Sequence, residues 1–418
     1  MNTDRVRSKE PCKLGKLMKK KKTHSVETSI SAPENTNTTL PETTNTTMPA
    51  TIPADRKTPY VFVGKSGLKV SNICLGTMTF GESQFLGGQL DASQSHQILN
   101  RFAEWGGNFI DTADAYGPRT SEEIIGQWLE RQPRDKFVIA TKCRAEMGLE
   151  QDANNVGLSR RHITASVDGS LQRLRTDYID LFQSHLWDSG VPLEETLRTL
   201  DDLVRLGKIR YVGVSNVLGW QMQKIISTSE KLGLNPVISL QQQYSLLSRD
   251  SEFEAFQVCK AEGLGVLPWS PLKGGLLSGK VKRGVKPTEG RLGWVANNEN
   301  RAMEAVPNWK NLEDKTFDVI EAAEEIAKKH GRSVAQVAIR WLLQRDVVSS
   351  VLIGARTVQQ LDDNIGAAAG WSLTKEEMQK LDDLSYPSQP YPSEYVLAVN
   401  KDRLNPRFQD TLVRSVVV

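Results

Sequence analysis

A chain of 418 residues, 39% hydrophobic and 25% charged, is long enough to bury a large core, and a single α/β barrel of about 250 residues with tails fits within it. The net charge of +3 is uneven, since residues 1–59 carry 11 Lys and Arg against 6 Asp and Glu, and the slightly acidic remainder gives no reason to expect nucleic acid. Cys12, Cys74, Cys143 and Cys259 form no Cys-x-x-Cys pair and the five histidines are scattered, so neither a disulfide framework nor a structural metal is expected and a cytoplasmic setting fits.

Residues 1–58 are rich in Thr, Asn, Pro, Ser and Lys and poor in large apolar groups, a composition that cannot offset the entropy of ordering and predicts a disordered tail. Lys19-Lys20-Lys21-Lys22 reads as solvated chain rather than an address, and no apolar segment makes this a secretory signal. Two short runs between Tyr60 and Ser71 flank Lys65-Ser66-Gly67, the pattern of a β-hairpin. From Ile73-Cys74-Leu75-Gly76-Thr77 onward, apolar strands alternate with amphipathic helical stretches. Further strands are predicted near 108–111, 137–142, 178–184, 210–214, 237–241, 265–269 and 349–353. Helices are predicted near 92–105, 120–131, 160–174, 193–206, 218–231, 251–262, 314–330, 333–345 and 357–368, with a long loop over 271–312.

Eight strands with crossover helices close a (β/α)8 TIM barrel over 59–386, followed by a C-terminal tail over 387–418. An open doubly wound sheet is the rival, but no Gly-x-Gly-x-x-Gly follows an early strand. No run of about 20 apolar residues occurs, so no membrane insertion is expected.

Three strands end in polar groups. Asn108-Phe109-Ile110-Asp111 runs into Thr112-Ala113-Asp114-Ala115-Tyr116-Gly117, the strand at 137–142 ends in Lys142, and the strand at 178–184 is followed by His185. A carboxylate after a buried strand is costly unless a cation meets it, so these ends point to one shared site. With Gly213-Val214-Ser215-Asn216 and Trp269-Ser270-Pro271-Leu272 in matching order, the sequence resembles the aldo-keto reductase family from about Tyr60 to about Tyr386. Within that family it is most similar to the aryl-alcohol dehydrogenase group.

The resemblance implies a nicotinamide-dependent reductase of aldehydes and ketones, with Asp111, Tyr116, Lys142 and His185 as its catalytic residues. Reducing a carbonyl takes a hydride, which no side chain supplies, and a proton. An unperturbed tyrosine titrates near about 10; an ammonium beside it favours the phenolate, so Lys142 is expected to lower Tyr116 while Asp111 holds the lysine. His185 is expected to orient the carbonyl oxygen. Each residue alone reads as packing or a solvated strand end; four in order make the case, and Asp114 reads as structural. The resemblance also implies a hairpin plugging the barrel bottom.

For the cofactor, Gly76, Thr77 and Asp111 lie at the first strand ends, and Ser215, Asn216 and Gln241 can hydrogen-bond a carboxamide as the family's matching residues do. Trp269 offers a flat face to the nicotinamide ring. Ser270, Pro271, Leu272 and Gly274 begin the loop that in relatives follows the pyrophosphate, with Lys280 and Arg291 supplying charge. Gly354 and Arg356 precede a helix bearing Gln360, Asp363 and Asn364, where barrels commonly bind phosphate. Arg356 is placed for a 2′-phosphate, which favours NADPH over NADH.

A second reading is a cofactor-binding regulatory subunit resembling the potassium-channel β subunits; His185 argues against it, since those carry Asn there. The expected partner is a small carbonyl or alcohol substrate. Met78, Phe80, Trp187 and Trp294 are candidates to line its pocket, and neither its identity nor the oligomeric state is legible.

Overall fold

The computed structural model of the protein describes residues 57–81, 89–117, 119–145, 153–298, 306–388 and 390–399. The disordered tail expected over 1–58 lies almost wholly outside these, as does the end of the C-terminal tail. Strands β1 (Tyr60–Phe62) and β2 (Lys69–Ser71) form the antiparallel hairpin. Eight parallel strands follow: β3 (Ile73–Gly76), β4 (Phe109–Asp111), β5 (Val138–Cys143), β6 (Ile179–Ser184), β7 (Ile209–Ser215), β8 (Val237–Gln243), β9 (Gly265–Trp269) and β10 (Val351–Ile353). They run in the order β10-β3-β4-β5-β6-β7-β8-β9, and a bridge between Val266 and Val348 joins the two ends into a (β/α)8 barrel.

Around it lie α1 (Ala92–Glu104), α2 (Thr120–Leu129), α3 (Arg160–Leu174), α4 (Leu193–Arg205), α5 (Gly219–Leu232) and α6 (Ala255–Glu262). Then come α7 (Gly290–Asn297), α8 (Asp314–His330), α9 (Val334–Leu343), α10 (Val358–Ile365), α11 (Lys375–Ser385) and α12 (Ser393–Val399). Local chemistry sets many of the boundaries. Asp91, Ser333 and Thr374 close capping boxes with Gln94, Gln336 and Glu377. Gly233, Gly263 and Gly331 end α5, α6 and α8 in the left-handed conformation.

Four helices depart from the sequence reading. α6 begins at Ala255 because residues 250–252 form a separate 3-10 turn. α7 lies inside the expected loop, α11 was not anticipated, and the expected tail carries α12. None of the helices among the described residues is long and apolar enough to cross a membrane.

The barrel interior is layered. Alternate residues point inward, so Cys74, Phe109, Val138, Ala140, Leu181, Leu267 and Leu352 pack together at the lower end. Val63, Leu68 and Val70 of the hairpin join this cluster and close that end. The hairpin turn sits hard against the barrel: Lys65 N–H donates to the Gly263 carbonyl at 2.8 Å. A Cβ on Gly64, whose φ is +53°, would lie 2.5 Å from that same oxygen. The upper layer carries the polar groups.

Candidate active site

Asp111 and Lys142 continue the inward-facing series of β4 and β5 one layer above the apolar plug. Both are essentially fully buried, and Lys142 Nζ donates to Asp111 Oδ1 at 2.5 Å and to the Thr112 carbonyl at 2.8 Å. Its third donor reaches Tyr116 Oη at 3.4 Å. Asp111 and Tyr116 together hold the lysine charged, raising its pKa despite a burial that acts the other way. The His185 ring meets the Tyr116 ring edge-on with centroids 5.8 Å apart. The four residues expected to share a site are thus joined: three by one ammonium, the fourth by ring contact.

At Tyr116 burial opposes the lowering expected from Lys142. Burial pushes the Tyr116 phenol up, and Lys142 offsets this only in part, with the Asp111 carboxylate working against it. Tyr116 is accordingly a neutral phenol, the form that can donate a proton. Burial, with the Lys142 charge adding to it, drives His185 down to about 3, so the imidazole is neutral throughout the physiological range.

Asp111 has further partners that the sequence reading did not identify. Gln183 Nε2 donates to Asp111 Oδ2 at 3.1 Å and Gln241 Nε2 donates to the same oxygen at 2.8 Å. Gln183 stands two residues before His185 on β6, in phase with the inward-facing Leu181; a polar residue at an interior position of a buried strand is the signal that marks it. Thr77 caps the arrangement through its hydroxyl, which donates to the Asp111 carbonyl at 2.9 Å. That bond, and the shared contact with Ser121, let Thr77 support β4; Gly76, Thr77, Asp111, Ser215, Asn216, Gln241 and Trp269 stand at or beside the strand ends, outside the lining of the cleft along the rim.

Asn216, at φ +54°, is occupied by the protein: its Nδ2 donates to the His185 carbonyl at 2.9 Å and to Ser215 Oγ at 3.0 Å. Trp269 Nε1 donates to its Oδ1 at 3.1 Å. The Trp269 ring is half-buried against the lower cluster, so packing and hydrogen bonding both fix it beside the site. Phe80 is fully buried in the outer core and cannot line a substrate pocket.

A cleft of about 610 Å3 runs along the upper rim, lined by Ser270, Pro271, Leu272, Gly274, Lys280 and Arg291 on one side. Gly354, Arg356, Gln360, Asp363 and Asn364 line the other. The Arg356 N–H donates to Gln360 Oε1 at 3.0 Å, Asn364 Nδ2 donates to the Gly354 carbonyl at 3.3 Å, and Ser333 Oγ donates to Asp363 Oδ2 at 2.9 Å. Lys280 is exposed and paired with Glu289 at 2.7 Å.

Arg291 is different: burial and the neighbouring Arg356 charge both lower its pKa, with only Tyr116 pulling it up. Neither arginine has an ion-pair partner among the described residues. Glu289 and Asp363 line the same cleft, but neither forms an ion pair with these arginines, and two guanidinium groups facing one cleft are a donor set suited to a polyanion. α7, unforeseen in the sequence, is what carries Arg291 there.

Comparison with known proteins gives the family. The family model described as "Aldo/keto reductase family" matches residues 72–385. The oxidoreductase YrpG of Bacillus subtilis is 35% identical, covering 78% of this chain and 95% of its own length. The versiconal hemiacetal acetate reductase of Aspergillus parasiticus is 34% identical, covering 80% and 99%. The aryl-alcohol dehydrogenase [NADP(+)] of Phanerodontia chrysosporium is 35% identical, covering 76% and 83%.

Proposed function

Because the chain belongs to the aldo/keto reductase family and is an NADP-type oxidoreductase acting on carbonyl and CH–OH groups, we propose that it reduces aldehydes or ketones with NADPH, reversibly, using Tyr116 as the proton donor. The observation that carries this reading is the single Lys142 ammonium shared by Asp111 and Tyr116 beside a neutral His185. The nicotinamide, when bound, supplies the hydride. Ser215 and Gln241 would hold its carboxamide, Trp269 would flank its ring, and Arg291 and Arg356 would take its phosphates.

The residues of the chain do the rest. His185, neutral and fixed by Asn216 through its own carbonyl, hydrogen-bonds the substrate oxygen and orients it. Tyr116 donates its phenolic proton to that oxygen as negative charge develops there. Lys142 then stabilises the phenolate that remains, which is why its charge must be held in place by Asp111 and the Thr112 carbonyl. The relative named for aryl alcohols favours an aromatic aldehyde or alcohol as substrate.

The test is a panel of aliphatic and aryl aldehydes with NADPH oxidation followed by absorbance, run with the parent and with Tyr116→Phe. Removing the phenolic proton is expected to lower kcat by about 10²- to 10⁴-fold with little change in NADPH affinity. Full turnover by Tyr116→Phe would remove Tyr116 from the proton transfer.

A further inference from the structure

Gln183 is fully buried at the end of β6, and an amide left unpaired in such a place costs on the order of 1–3 kcal/mol. Its polar atoms are all turned to the catalytic layer. Nε2 donates to Asp111 Oδ2, and Oε1 accepts from Gln241 Nε2 at 3.4 Å. Gln241 Nε2 also donates to Asp111 Oδ2. An amide nitrogen carries two hydrogens, so both hydrogens of Gln241 Nε2 are taken by acceptors inside the barrel. Turning that amide over would set Gln241 Oε1 against the Asp111 carboxylate and against Gln183 Oε1, acceptor facing acceptor twice. One orientation survives, with Oε1 as the free edge, and no described residue donates to it. Gln241 therefore offers the cofactor side an acceptor and nothing else.

We propose that Gln183 is a positioning residue of cofactor recognition: it shares with Asp111 the lock on the Gln241 amide, taking the second hydrogen of Nε2 while holding the same carboxylate, so that the site demands a hydrogen-bond donor, the amino group of a nicotinamide carboxamide. The inference rests on the dinucleotide reading above and adds the residue that sets its selectivity. Gly213 belongs to the same device, because a Cβ there would lie 3.0 Å from Gln183 Cγ and 2.6 Å from Ser239 Oγ.

The experiment compares binding of NADP+ with that of its 3-acetylpyridine analogue, in which a methyl replaces the amino group, by calorimetry or tryptophan fluorescence on the full chain. The parent is expected to bind NADP+ about 3- to 10-fold more tightly than the analogue, the worth of one hydrogen bond. Gln183→Met keeps the side chain's length and removes both hydrogen bonds, leaving the Gln241 amide held by Asp111 alone, and is expected to lower that ratio by at least about twofold. A parent ratio near one needs no variant to read and would overturn the role, as would a ratio that Gln183→Met leaves unchanged. If NADP+ itself does not bind the parent, the dinucleotide reading falls and this inference with it, an outcome distinct from equal binding of the two.

Discussion

At the scale of single residues, charge placement decides two outcomes. Arg356 lines the upper cleft with no acidic partner within ion-pair distance among the described residues, so its guanidinium is free for a phosphate. Arg356→Ala is expected to weaken NADPH by about 1.5–3 kcal/mol, the range for hydrogen bonds to charged groups, while sparing NADH. Equal losses for the two in titration would take Arg356 away from the 2′-phosphate. Asp114 is a different case. Burial lifts its carboxyl to about 7, Glu122 pushes the same way, and the Ser166 hydroxyl, 2.8 Å from Oδ2, and Arg173 pull against them. Oδ1 has no partner at all.

Because the folded pKa of Asp114 lies above its ordinary value of 3.8, the folded chain binds this proton more tightly than the unfolded one. The stability it contributes is present below about pH 4 and is lost as pH rises through about 7. Asp114→Asn is expected to remove that decline, on the order of 4 kcal/mol across the window. The check is the urea midpoint measured between pH 4 and pH 7, where parent and variant with the same slope would contradict the account.

At the scale of elements, the barrel strands and most helices were legible because each strand is a short apolar run and each helix a longer amphipathic one. The misses have local causes. α11 announces itself only by Thr374 and Glu377, a capping box over a polar stretch, and hydropathy alone passes over it. α7 has eight residues and no side-chain cap, too little periodicity to see. Within the site, Asp111, Tyr116, Lys142 and His185 were readable because each ends or follows a strand. Gln183 was not, since a linear string does not say that amides on β6 and β8 meet one carboxylate on β4. Nor does it say that Asn216 donates to the His185 carbonyl and accepts from Trp269. β7 supplies a test of how tightly these elements fit: its register shifts between Val212 and Gly213, where Gly213 lies under Gln183. Gly213→Ala is expected to cost about 1–3 kcal/mol by overpacking and to lower kcat more than a surface change of equal cost. Thermal unfolding and steady-state kinetics on one preparation check it; a variant as stable and active as the parent would show that the neighbours give way.

At the scale of the whole molecule, the barrel holds two layers of unlike character, an apolar plug below and a charged, hydrogen-bonded layer above. Asp111 gathers Lys142 from β5, Gln183 from β6 and Gln241 from β8, so one carboxylate ties half the strands together at their upper ends. Lys142→Met is expected to cost about 3–5 kcal/mol by leaving that charge buried without its cation. Lys142→Met combined with Asp111→Asn is expected to recover part of the loss in stability. Denaturant midpoints for the two singles and the double decide it, and strictly additive losses would mean the pair is not coupled.

The hairpin wedged against Gly263 has a consequence of its own. A cylinder stoppered at one end is a cup, so whatever reacts in this protein must arrive and depart across a single rim. Evolution can therefore reshape the rim loops to suit a new molecule while the stopper keeps the vessel standing.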